Sequence, residues 1–340
     1  MDERPFRQPF DWRGPSDGPS DEQFGDVVAA TTLDAVAEAA PPERPDALLV
    51  GEPYDGAVIG RKGAREGAAA IREQLAATKT HHFDAGPVAG VGDLGDVAAL
   101  RRIQDGDRTL SVEAVQDRVE SATDGVHATG ALPVFLGGDN SMTVPNVGPL
   151  LDAGSVGVVS LDAHLDCREP RRDAISGTPY RQLHEAGLDA FAVLGARHFE
   201  TSTAYHDYVR ERGAEVVTAE EVGDGAVEAA DRALTAVEGV EQLYVNLDCD
   251  VLDAAAAPGV SVPTPGGITS RELFRLLRLL AADDRLAGFE VVGCAPRLDD
   301  TERTARTAAR AVAHVLAAVG ASGGRTPSRS DVEAAGGDRR

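Results

Sequence analysis

Cysteine is scarce in this 340-residue chain, which has only Cys167, Cys249 and Cys294. So low and odd a count excludes a disulfide framework. With no C-x-x-C pair, a structural zinc ribbon is excluded as well. Long apolar runs are missing too. No stretch approaches the roughly 20 apolar residues that a membrane span requires. The N-terminus, MDERPFRQPF, mixes charges of both signs and carries no apolar run, so a soluble, cytoplasmic protein is expected. Positive charge is also short, with few lysines and a net charge of −23. A nucleic-acid binder needs a basic face, and anionic lipid would repel this surface. Both partner classes are set aside. The acid excess is spread along the chain beside abundant Ala and Gly. Such a composition suits a halophilic protein, kept soluble in a high-salt cytoplasm by dense surface carboxylates.

What the chain does contain is a repeated alternation of short apolar runs with helical periodicity. Residues 1–25, rich in Pro, Gly, Asp and Arg, read as an irregular lead-in. A helix is expected over about 26–40. Strands are expected at 47–53, 132–139, 156–164, 190–197, 214–222 (leading into a loop), 242–253 and 286–296. Helices are expected at 63–76, 270–283 and 304–319. Strands alternating with helices imply an α/β fold with a parallel sheet. One domain over 26–320 is expected, followed by a Gly/Ser/Arg/Asp-rich disordered tail over 321–340.

Three of the expected strands end in packed carboxylates: Gly137-Gly138-Asp139-Asn140-Ser141, Asp162-Ala163-His164-Leu165-Asp166 and Asp248-Cys249-Asp250-Val251-Leu252-Asp253. Parallel sheets bind ligands outside the carboxyl ends of their strands. Residues i and i+2 of a strand share a side. Asp162 with His164, and Asp248 with Asp250, would thus face one cleft, with Asp166 folding back from the loop. Unpaired carboxylates this close repel one another, and a divalent cation removes that cost. Several carboxylates with one imidazole suit Mn²⁺ better than Zn²⁺ or Cu. Two such ions can hold and activate a water.

DAHLD (162–166), LDCDVLDAAAAPGVSVPTPGG (247–267), GGDNS (137–141) and VGEPYDGAVIGRKGAREGAAAIRE (50–73) together resemble the ureohydrolase family: arginases, agmatinases and formimidoylglutamases. The resemblance spans roughly 45–320. It implies a three-layer α/β/α fold, a binuclear Mn²⁺ centre, hydrolysis of a linear amidine C–N bond, and a homo-oligomer, a trimer or hexamer. Asp162 and Asp248 would bridge the ions. Asp166 would bind one and hold the attacking hydroxide, and His164 and Asp250 would bind the other. Asp139 and Asp253 would support these ligands, and Glu290 would neutralise the cationic end of the substrate.

Two departures bear on the substrate. Asn140 stands where the family's usual metal-binding His falls, so one metal position should be weaker. Ser176 stands where arginases and agmatinases carry a His. SGTPYRQL (176–183), Ser261 and HFETSTAYHDYV (198–209) resemble the formimidoylglutamase branch, where Asn in the first motif also occurs. The resemblance therefore implies N-formimidoyl-L-glutamate as substrate and a place in histidine degradation. The alternatives are a guanidino hydrolase releasing urea, or a non-catalytic ureohydrolase-like binding or regulatory protein. Among candidate cations for the substrate carboxylates (Arg61, Lys62, Arg65, Arg181 and Arg197), Arg181 and Arg197 are favoured, with Ser176 beside them. His81 and His82 read as an exposed loop, and Cys167 and Cys249 as packing residues. Lys62 lacks a phosphate-loop pattern around it.

Overall fold

The computed structural model describes residues 4–8, 10–18, 20–40, 43–105 and 110–323. In chain order its strands are β1 (Phe6–Arg7), β2 (Ala29–Ala30), β3 (Ala47–Gly51), β4 (His81–His82), β5 (Gly86–Pro87), β6 (Val91–Val97), β7 (Leu132–Leu136), β8 (Val156–Leu161), β9 (Ala190–Ala196), β10 (Glu215–Thr218), β11 (Gln242–Asp248) and β12 (Leu286–Val292). Among the described residues, β4 and β5 form a separate hairpin. The other ten strands form one sheet in the order β1-β6-β3-β7-β12-β11-β8-β9-β10, with β2 also paired to β6. Every pairing in this sheet is parallel except that of β1 with β6.

The sheet is parallel because its strands are apolar on both faces. Each residue of β3, β7 and β8 is buried, the pattern of a sheet covered on both sides. Alternate residues feed two separate cores. Leu49, Val134, Val159, Leu247 and Val291 pack on one face beneath the helices Gly67–Ala76, Ser270–Leu280 and Arg303–Gly323. Leu48, Phe135, Val158 and Tyr244 pack on the other beneath Val112–His127, Thr143–Ala153 and Pro179–Ala186. This is the expected α/β/α sandwich. Helix Ser270–Leu280 illustrates the local logic. Thr269 and Glu272 form a reciprocal capping box, and Leu273, Leu276, Leu277 and Leu280 make one buried stripe.

The strand order places the site. The chain lays down β3 and β7, crosses over to β8, and continues outward through β9 and β10. It then returns to insert β11 and β12 between β7 and β8. Such a reversal opens a crevice at the carboxyl ends of the strands on either side of it.

Several expectations are corrected. The helix expected over 26–40 is broken into Phe24–Val27 and Leu33–Glu38. Ala29–Ala30 pair with β6, and the Thr32 hydroxyl accepts the Ala35 N–H to start the second helix. The lead-in is not wholly irregular, since it supplies edge strand β1. The loop expected inside 214–222 is a helix, Ala219–Asp224, capped by Thr218 and Glu221. Residues 321–323 continue the last helix, and the remainder of the expected disordered tail, 324–340, lies outside the described residues.

Strand β6, VGDLGDV, escapes a sequence reading because its two aspartates and two glycines look like a loop. Both aspartates are buried against one arginine from another element. Arg72 Nε and Nη2 donate to the two oxygens of Asp93 at 3.0 and 2.9 Å, and Nη1 donates to Asp96 at 2.7 Å. The Arg72 side chain is fully buried. Removing one partner of such a group strands the others' charge at a cost of about 3–5 kcal/mol. Arg72→Met should therefore lower unfolding free energy by about that amount in denaturant titrations. A loss below 1 kcal/mol would contradict this account of β6.

Candidate metal centre

The ligand-rich segments follow β7, β8 and β11, and β12 lies between β7 and β11. In each segment an aspartate turns the chain by accepting the N–H two residues on. Asp139 Oδ1 accepts from Ser141 N–H at 3.0 Å, Asp162 Oδ1 from His164 N–H at 2.7 Å, and Asp248 Oδ1 from Asp250 N–H at 2.9 Å. This corrects the expected geometry. Strand β8 already ends at Leu161 and β11 at Asp248. The paired side chains converge because the chain bends after the strand, not because they alternate along it.

The convergence is close. His164 Nδ1 lies 3.2 Å from Asp250 Oδ2 and 3.4 Å from Asp162 Oδ1. Asp162, His164 and Asp250 present donor atoms all within 4.8 Å of one another. A cavity of about 160 Å³ is lined by His164 and Asp250 together with Asn140, Asp166 and Asp248. Asp166 holds a left-handed backbone, φ 36°. Aspartate tolerates this conformation better than most residues, and such strain clusters at functional sites.

Two supports hold the Asp248–Asp250 turn. Arg197 donates to the carbonyls of Asp250, Val251 and Leu252 at 2.6, 3.0 and 2.6 Å. Gly293, at φ 76°, faces Asp248 so closely that an added Cβ would stand 2.4 Å from Oδ1.

Electrostatics make this group costly by itself. Burial, with the Asp166 and Asp250 charges, pushes Asp162 up to about 8. Burial pushes Asp166 up to about 6, against the pull of His164 and the Asn140 hydrogen bond. Burial and the neighbouring aspartates drive Asp248 well above the carboxylate range. Burial alone would depress His164, but Asp162 and Asp250 outweigh it and hold the ring at about 12. A divalent cation replaces this repulsion with attraction. The donor chemistry of four carboxylates and one imidazole fits a hard to borderline ion such as Mn²⁺.

The remaining expected residues separate into those at the cavity and those behind it. Ser176 lines the cavity, and its N–H donates to Ala57 O at 3.0 Å. Asp139 is a brace, accepting from Ala57 N–H at 2.9 Å as well as from Ser141. Asp253 stands off the cavity and pins its own loop through the Ala255 and Gly266 N–H groups. Arg181 and Arg197 do not line it. Arg181 Nε donates to the carbonyls of Cys167 and Arg168, and its guanidinium stacks on Tyr208 at 3.8 Å. Arg65 is tied to Asp55. Of the cations singled out from sequence, Arg61 lines the cavity.

Glu290 also departs from expectation. It is fully buried within β12 and accepts from Thr143, Asn246 and Asn146 at 2.6, 2.6 and 2.8 Å. From this part of the chain it is Gly293 and Ala295, just past the strand, that reach the cavity wall.

Arg168 and Glu200 line the cavity too and were missed. Arg168 lies two residues beyond Asp166, and position alone could have flagged it. Glu200 Oε2 stands 3.6 Å from His164 Nε2; it falls within the 198–209 stretch noted from sequence, but was not singled out there. A larger cavity of about 700 Å³ lies at the opposite, amino ends of the strands, lined by residues such as Arg44, Asp46, His127 and Asp283. Among the described residues it brings together no comparable ligand set, so chemistry favours the smaller one.

The model of the Arginase family matches residues 45–318, and the chain belongs to that family. It is 55% identical to a formimidoylglutamase of Halobacterium salinarum over 319 residues, covering 92% of this chain and 99% of the relative. A formimidoylglutamase structure from Bacillus subtilis superposes with a TM-score of 0.79 at 24% identity, covering 89% of this chain and 93% of that one, and so supports the fold. A formiminoglutamase of Trypanosoma cruzi solved with Mn²⁺ superposes with a TM-score of 0.73 at 28% identity, covering 85% and 98%.

Gly293→Ala tests the packing at Asp248. The added methyl group meets both a left-handed backbone and the Asp248 carboxylate, so Mn²⁺ affinity in calorimetric titration should fall by about tenfold or more. Unchanged affinity would show that Asp248 does not need this approach.

Proposed function

We propose that this chain hydrolyses N-formimidoyl-L-glutamate to L-glutamate and formamide with two Mn²⁺ ions per subunit. The observation that carries this reading is the 55% identity, over 92% of this chain, with the Halobacterium salinarum formimidoylglutamase. The convergent ligand set supports it.

Asp162, His164, Asp166, Asp248 and Asp250 would hold the ions. When bound, the ions supply a lowered water pKa and charge stabilisation for the developing tetrahedral carbon. The protein positions the rest. Asp166, on its strained turn above Asp162, is placed to accept a proton from the attacking water. Glu200 supplies negative charge for the amidinium end of the substrate. Arg61 and Arg168, both at the cavity wall, match the two carboxylates at the other end. Water adds to the amidine carbon, the bond to the glutamate nitrogen breaks, and that nitrogen leaves protonated.

A cytoplasmic, salt-adapted enzyme accompanies this reading, supported by the net charge of −23; a homo-oligomer accompanies it on the family resemblance. Among the described residues no helix is long and apolar enough to cross a membrane.

Product identity tests the substrate. With Mn²⁺, formimidoylglutamate should yield formamide, while agmatine and arginine should yield no urea. Urea without formamide would transfer the chain to the guanidino hydrolases. No turnover of any amidine would favour a binding protein. Within the proposed reaction, Arg168→Gln should raise KM for formimidoylglutamate by roughly tenfold to a hundredfold, the scale of one lost charge-assisted contact, with a smaller change in kcat.

A further inference from the structure

Asn140 is the residue by which this centre departs from its family, and its amide can face either way. In the structure Nδ2 donates to Asp166 at 2.7 Å and lies 3.4 Å from Asp162, while Oδ1 accepts from Thr143 Oγ1 at 2.8 Å and Asn246 Nδ2 at 3.1 Å. A half-turn about the Cβ–Cγ bond exchanges the two ends and presents the oxygen to the carboxylate cluster. The two ends occupy similar space, so the surrounding donors and acceptors decide between them.

Counting hydrogens exposes a conflict in the first orientation. Thr143 has one hydroxyl hydrogen and two acceptors within reach, Asn140 Oδ1 at 2.8 Å and Glu290 Oε1 at 2.6 Å. A carboxylate is the stronger acceptor, and Glu290 already collects Asn246 and Asn146. With the hydrogen spent on Glu290, Thr143 Oγ1 offers only lone pairs toward Asn140. An amide N–H satisfies them and a carbonyl oxygen repels them. Asn246 fits either orientation, because its second amide hydrogen reaches Thr143 Oγ1 at 3.3 Å as readily as Asn140 Oδ1. What opposes the exchange is the meeting of Asn140 Oδ1 with Asp162 and Asp166, and a cation held by those aspartates turns that repulsion into attraction.

We propose that Thr143, oriented by the buried Glu290, is a positioning residue that turns the carbonyl oxygen of Asn140 toward a cation held at Asp162 and Asp166. Glu290 thus acts from beneath the centre, through Thr143, rather than on the substrate. The inference rests on the metal reading above, and the experiment separates the two.

Mn²⁺ binding is titrated calorimetrically and by electron paramagnetic resonance on the intact protein and on Thr143→Val, Thr143→Ser, Asn140→Ala and the Asn140→Ala/Thr143→Val double variant. Thr143→Val should weaken one of the two Mn²⁺ positions by about tenfold or more and leave the other unchanged. Thr143→Ser, which keeps the hydroxyl, should restore it. In the Asn140→Ala background the valine should add no further loss, because the residue it acts through is gone. Equal affinity in Thr143→Val and the native protein would overturn the proposal. So would a further loss in the double variant, which would mark a general packing role. Failure of the native protein to bind Mn²⁺ would instead overturn the metal reading itself.

Discussion

The structure is organised around mutual repulsion. Asp162, Asp166, Asp248 and Asp250 are brought to the carboxyl ends of neighbouring strands, where burial and proximity raise three of them. Such a cluster lowers stability unless something positive sits among it. His164 supplies part of that charge, and a divalent ion held there would supply the rest. Much of the surrounding structure reads as bracing against this repulsion. Arg197 clamps three carbonyls of the Asp250 turn, Gly293 yields space to Asp248, and Asp139 ties the Asn140 turn to Ala57.

The same logic recurs in β6, where two buried aspartates are held by Arg72. There the cation is the protein's own, and the result is a closed, fully satisfied ion group. At the candidate metal centre, among the described residues, no arginine hydrogen-bonds to the clustered carboxylates, and the cavity above them is open to a ligand. The contrast separates a structural use of buried carboxylate from a chemical one.

Much of this was legible in the sequence, for identifiable reasons. The parallel sheet showed itself because strands buried on both faces are short apolar runs. The clustered aspartates and His164 showed themselves because three such runs end in carboxylates. Glu290 was misplaced for the same reason the strands were easy to find. A strand buried on both sides carries no alternation to reveal which way a polar residue points, and Glu290 points beneath the centre. Arg181 and Arg197 were misjudged because nothing local reveals that a guanidinium will be used on backbone carbonyls. Glu200 and β6 depend on partners far along the chain, and no window of sequence contains both halves of such an interaction.

The late insertion of β11 and β12 has a consequence for how the protein is made. A ribosome finishes β7 and β8, with Asn140 and the 162–166 ligands, while the strands that must lie between them are still unsynthesised. Until residues 242–292 emerge, the growing chain holds half a ligand set on two strands that are not neighbours and has no Asp248 or Asp250 to complete it. Assembly of the centre is therefore a closing event of biosynthesis. A cation bound by both halves would then hold the two parts of the sheet together.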